Sequence, residues 1–389
     1  MKRSGIRWIV LIAVALLAIA VGVLAIFPRY KESKMDAVLT HRVEVSLQAL
    51  ELHKKLLVAD LHADSLLFGR DLLERSTRGH IDLPRLREGN VALQMFTVVT
   101  KAPKNLNFGR NSGDTDQLTL LMVAQGLPPA TYTSLKARAL YQAGRLQHFV
   151  DRSRGHLVFI RDRNDLSGFL KRRQSGEDVT AAMLGLEGAH ALEGRLENVD
   201  DLYNAGFRMV GLAHFFDNEF AGSAHGVDRG GLTPLGRELV RKLESKKIAI
   251  DLAHASTQTI DDVLQMAQRP VMVSHAGVRA TCDNQRNLSD DHLRRIAKTG
   301  GIIGIAYFEF AVCGKDADAI ARSIRHAVDV AGIDHVALGS DFDGGITVPF
   351  DTSQLAAVTD ALLRTGFTED EIRKVMGGNV FRFFSETLP

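Results

Sequence analysis

The 389-residue sequence predicts a (β/α)8 barrel carried behind a transmembrane helix. Eight short, nearly continuous apolar runs, each followed by a helix-prone stretch, argue for parallel strands buried on both faces. No G-x-G-x-x-G follows the first run, which disfavours the alternative of a doubly wound open sheet. An uncharged stretch near the N-terminus accounts for the anchor.

That stretch, Trp8–Phe27, is 20 residues long. As a helix rising about 1.5 Å per residue it would span roughly 30 Å, the thickness of a bilayer's hydrocarbon core. A cleaved signal peptide is the alternative, but the small-x-small triplets Ala13-Val14-Ala15 and Ala18-Ile19-Ala20 lie inside the run rather than after it. Lys2, Arg3 and Arg7 precede the span and Arg29, Lys31 and Lys34 follow it. The free amine tips the balance toward an internal N-terminus, with the bulk of the protein outside the cytoplasm on the periplasmic or extracellular face. The domain reading is an anchor at 1–30, a helical stalk at 31–54 and a barrel at 55–389.

The barrel strands are expected at Leu57–Leu61, Val91–Val99, Thr180–Leu186, Met209–Ala213, Ile248–Ala253, Pro270–Ser274, Gly301–Phe308 and His335–Ser340. Intervening helices include Asp200–Ala205, Pro234–Lys246, Asp290–Thr299 and Ala317–Ala331. Residues 101–179, with Pro128-Pro129 and a basic run from Arg161 to Arg173, read as an insertion between the second and third strands. The basic run has interspersed acids and reads as a solvated face.

Charge excludes one class of function. The formal net charge is +2, and the four basic residues of 1–30 leave about −2 on the rest, so the body is no basic nucleic-acid binder. Two cysteines exclude a disulfide-dense scaffold and a four-cysteine zinc site.

The chemistry sits where strands end, which in this architecture is the catalytic mouth. Strand one ends in His62-Ala63-Asp64, strand three in Glu187-Gly188, and strand four in His214. Strands five and six end in His254 and His275, and strand eight in Asp341-Phe342-Asp343-Gly344. A single histidine after a strand is ordinarily a packed residue. Imidazoles and carboxylates converging from six strand ends need a cation between them. Ligands of this kind without cysteine suit zinc, with manganese, iron or cobalt as alternatives. His190, Asp343, Asp60 and Asp251 read as supporting residues. His225 and Asp228 read as lining the mouth, and Asp217 and Glu219 as solvated.

These residues sit in motifs that resemble the membrane dipeptidase (renal dipeptidase) family of zinc peptidases over roughly residues 55–385. The matching motifs are His62-x-Asp64, GLEG at 185–188, IDLAHAS at 250–256, VSHAG at 273–277, QRNLSDD at 285–291 and DFDG at 341–344. The resemblance implies two Zn2+ ions per chain, one held by His62 and Asp64, the other by His254 and His275, with Glu187 bridging. It implies that His214 contacts the substrate and steadies the oxyanion, that Arg286 pairs with the substrate's C-terminal carboxylate, and that Asp341 contacts the bridging water and the free amine. A metal-bridged hydroxide would attack the peptide carbonyl of a dipeptide. Acceptance of a D-residue at the C-terminal position, a homodimer and a Cys282–Cys313 disulfide enter by the same resemblance. The family's first motif usually has Asn where this chain has Ala63. Two alternatives remain: another metal-dependent amidohydrolase such as an N-acyl amino acid deacylase, against which the His-x-Asp motif and glutamate bridge argue, and a non-catalytic membrane-tethered metal-binding barrel.

Overall fold

A computed structural model describes residues 2–39 and 43–389, apart from most side chains between positions 2 and 25. Eight parallel strands close into a barrel. They are β1 (Val58–Ala63), β2 (Val91–Val99), β3 (Thr180–Glu187), β4 (Phe207–Gly211), β5 (Ala249–Asp251), β6 (Met272–Ala276), β7 (Ile302–Ile305) and β8 (Val336–Leu338). Neighbours in sequence are neighbours in space, and the pair Leu338–Asp60 joins β8 to β1. All eight strands are buried throughout, as their apolar composition requires.

The strand starts enclose an apolar cluster that includes Ala59, Leu93, Ala181, Met183, Met209 and Met272. Phe383 and Phe384 of the last helix, Asn379–Thr387, join that cluster and close the end away from the site. The polar residues are thereby left at the strand ends. Register shifts fall at Asp60–Ala63 in β1 and Val273–Ala276 in β6, the two places that hold His62 and His275. Irregularities of this kind re-aim a side chain locally.

The expected strand bounds shift by a few residues, so His62 and His275 lie inside β1 and β6 rather than after them. The β2–β3 connection carries helices Leu118–Ala124, Leu135–Arg152 and Arg163–Gln174. It also holds a short strand, Leu157–Phe159, paired to the start of β3. Cys282 and Cys313 form a disulfide between the segments that follow β6 and β7.

The expected membrane-spanning helix is not found: among the described residues no helix is long and apolar enough to cross a membrane. The run Trp8–Phe27 falls within a helix, Lys2–Met35, over positions whose side chains lie mostly outside the described residues. The expected stalk is more than a spacer. Residues Ala37–Val38 pair in parallel with Thr347–Val348, beside the loop that follows β8.

Candidate active site

Glu187 ends β3 with a buried carboxylate on which four imidazoles converge. Its Oε1 lies 3.1 Å from His254 Nε2, 3.5 Å from His62 Nε2 and 3.6 Å from His275 Nε2, and its Oε2 lies 3.5 Å from His214 Nε2. His62 Nε2 is also 3.7 Å from Asp64 and 3.8 Å from Asp341. Ligand atoms fall into overlapping groups within 4.8 Å: His62 with Glu187 and His275, Glu187 with His214 and His254, and His62 with Asp64 and Asp341. The strand ends thus bring together all the predicted metal ligands, His214 and Asp341.

Local backbone aims these groups. His254 and Asp341 adopt left-handed conformations, with φ of 61° and 64°. Such strain in residues other than glycine persists where surrounding structure holds it, commonly at functional sites. Gly188 has a φ of +93°, and a Cβ there would fall 2.4 Å from the His190 ring. Only glycine lets the chain turn away from Glu187 at that point.

Supporting hydrogen bonds set the tautomers. Ser274 Oγ donates to Asp251 Oδ2 at 2.7 Å. It therefore accepts from His62 Nδ1 and His275 Nδ1, each 2.9 Å away, which points both Nε2 atoms toward Glu187. Thr97 Oγ1 donates to Asp64 at 2.6 Å. Asp251 and Asp60 are structural, as the sequence suggests, yet they act directly on the site's framework.

The buried charges are poorly compensated by protein alone. Burial and the neighbouring Asp64 carboxylate push Glu187 up to about 7, against the pull of His62. Burial likewise raises Asp341 well above the usual carboxylate range, with Glu187 and Asp64 adding to it. Burial pulls His62 down, but Glu187 and Asp64 outweigh it and raise the ring well above its ordinary value. Burial, with nearby cationic groups, holds His214, His254 and His275 well below theirs, so they are neutral lone-pair donors. His62 Nε2 is buried without a hydrogen-bond partner. Neutral imidazoles and crowded carboxylates with an orphaned nitrogen fit divalent metal ions.

Arg286 is buried close by; its Nη2 donates to the His275 carbonyl at 2.6 Å and its Nε has no partner. It does not line the cavity described below. His190 is a supporting residue, with Nε2 3.1 Å from Thr100 Oγ1 and its ring stacked 6.4 Å from His214. His225 is fully buried, bonds Phe108 O through Nδ1 and packs 5.2 Å from His254. Asp217 corrects the solvated reading: its carboxylate accepts the Ser223 and Asp228 amides, each at 2.8 Å, and so shapes the loop after β4. Ser274 and Thr97 were not singled out in the sequence, since isolated hydroxyls carry no spacing signal.

A cavity of about 280 Å³ opens over the cluster, with Asp64, Glu187, His214, His254 and Asp341 on its floor and mostly apolar walls. A closed parallel barrel with histidines and carboxylates converging at its C-terminal mouth defines a metal-dependent hydrolase of the (β/α)8 class. The membrane dipeptidase model, peptidase family M19, matches residues 46–388, and the chain belongs to that family of metallodipeptidases. An uncharacterized dipeptidase of Schizosaccharomyces pombe is 28% identical over 375 residues, covering 92% of this chain and 82% of its own. A metallo peptidase from Rhodobacter sphaeroides, solved with a phosphinate mimic of L-Ala-D-Ala, superposes with a TM-score of 0.71 at 24% identity. It covers 85% of this chain and 99% of its own. The probable dipeptidase PvdM from Pseudomonas aeruginosa gives a TM-score of 0.74 at 22% identity, over 88% and 98% of the two chains. At these identities the solved structures bear on the fold.

Proposed function

We propose that the chain is a dinuclear zinc dipeptidase. The observation that carries this reading is the convergence of four histidine nitrogens within 3.1–3.6 Å of the Glu187 carboxylate. His62 and Asp64 would hold one ion and His254 and His275 the other, with Glu187 shared. When bound, the ions supply Lewis-acid polarisation of a carbonyl and an acidified water.

The chain's own groups do the rest. His214, neutral and reaching the cavity, offers a donor where negative charge develops on the substrate oxygen. Asp341, already raised by burial, is matched to accepting a proton and passing it to the leaving amine. Arg286 would pair with the C-terminal carboxylate as a planar, two-pronged donor. Apolar walls exclude water, and a D-residue at the C-terminal position is the acceptance that the family resemblance implies. The relative solved with a mimic of L-Ala-D-Ala gives this substrate class further support.

The test is metal content and turnover measured together on the full chain, with L-L and L-D dipeptides, an N-acetylated control and a tripeptide, before and after chelation. About two zinc equivalents and chelator-sensitive cleavage that needs a free amine are expected. Cleavage of the N-acetylated control would move the reading to a deacylase. Bound metal with no turnover would favour a non-catalytic barrel.

We also propose that the barrel lies outside the cytoplasm. The disulfide supports this, since such bonds persist in oxidising compartments. Protection of the barrel from protease added to spheroplasts would overturn this location. A homodimer remains an expectation from the family, to be checked by sedimentation.

A further inference from the structure

The end of the first helix lies over the active site. Phe27, Lys31 and Met35 line the same cavity as Glu187, His214 and Asp341. Their spacing of four residues puts them on one helix face. The adjoining face is fixed to the barrel. Glu32 is buried and paired with Arg70 and, at 2.8 Å, with Arg78 Nε, and Arg70 in turn holds Asp343 at 2.5 Å. Asp36 accepts the Gly345 amide at 2.8 Å, and Leu39 N donates to Val348 O at 3.0 Å. The helix end is thus tied on two sides to the loop that carries Asp341.

Among the described residues Lys31 is the one lysine or arginine on the cavity wall, it is half-buried, and it has no ion-pair partner. Phe27 and Met35 flank it with apolar surface. We propose that this helix end is a substrate-selecting roof, in which Lys31 favours dipeptides bearing a side-chain carboxylate and Phe27 and Met35 limit side-chain size. The inference rests on the dipeptidase reading.

The experiment compares kcat/KM of the full chain and two variants, Lys31→Met and Lys31→Glu, on Ala-Glu, Ala-Leu, Ala-Lys and the reversed series Glu-Ala, Leu-Ala and Lys-Ala. Lys31→Met should lower the acidic substrates of one series about tenfold and leave the leucine substrates within about twofold. Lys31→Glu should shift preference toward the lysine substrate of that series. Met35→Ala, a second variant, should relax the size limit and raise kcat/KM for Ala-Phe relative to Ala-Leu. An equal loss on every dipeptide would overturn the proposal and assign Lys31 to the common C-terminal carboxylate. No change on any would overturn it too. If the wild-type chain cleaves no dipeptide, the dipeptidase reading itself fails, an outcome separate from either of these.

Discussion

Asp251 holds Ser274 by two hydrogen bonds of 2.7 Å, one from the serine amide and one from its hydroxyl. Asp60 holds Ser340 in the same way, also with two bonds of 2.7 Å. Each clamp joins adjacent strands of the barrel, β5 to β6 and β1 to β8. Each locks the residue just before a site residue, His275 in one case and Asp341 in the other. The clamps fix position where the strands end and regular pairing stops.

Removing the Ser274 hydroxyl should therefore loosen two histidines at once. Ser274→Ala is expected to weaken zinc affinity by roughly 10- to 100-fold, the usual cost of losing a partner behind a metal ligand. Competition with a chelator of known affinity measures it. Unchanged affinity would remove Ser274 from the ligand framework.

Asp341 offers a cleaner separation of chemistry from binding. Asparagine tolerates the left-handed backbone found there. Asp341→Asn should keep the fold and most of the metal while kcat falls about 10²- to 10⁴-fold. Full activity in that variant would exclude Asp341 as the proton carrier.

Metal binding should strengthen as pH rises. In metal-free protein Glu187 is raised to about 7 by burial and by Asp64, so below that pH a cation must displace its proton. His62, raised by Glu187 and Asp64, acts in the same direction. The raised Glu187 pKa stabilises the metal-free fold below its ordinary value near 4.5, and that contribution is lost as pH rises through about 7. The increase in Tm on adding zinc should accordingly be larger at pH 8 than at pH 5.5. A smaller increase at pH 8 would contradict the charge arrangement.

The Cys282–Cys313 disulfide closes a loop of sequence separation 31. Replacing both cysteines by serine should cost about 3.7 kcal/mol of stability on loop-entropy grounds. Denaturant unfolding of the two proteins measures the difference, and a midpoint that does not move would show that the bond constrains little.

The strand pattern was legible because parallel barrel strands are apolar along their whole length, and β2 coincides with its expected range, Val91–Val99. Other bounds moved because local irregularity, as at His62 and His275, leaves no periodic trace. Asp217 looked solvated because a carboxylate that organises backbone amides has the same sequence signature as one that faces water.

The sequence by itself determined the barrel, the order of its eight strands and the identity of the residues that meet at its mouth, because burial dictates strand composition and polar residues collect near where the strands stop. Only the tertiary structure decided what stands behind and above them. The sharing of Ser274 between His62 and His275 joins positions 212 residues apart and next to each other, and the pairing of Glu32 with Arg70 lays the first helix over the cavity. Such contacts depend on where the closed barrel brings distant segments together, which no local spacing encodes.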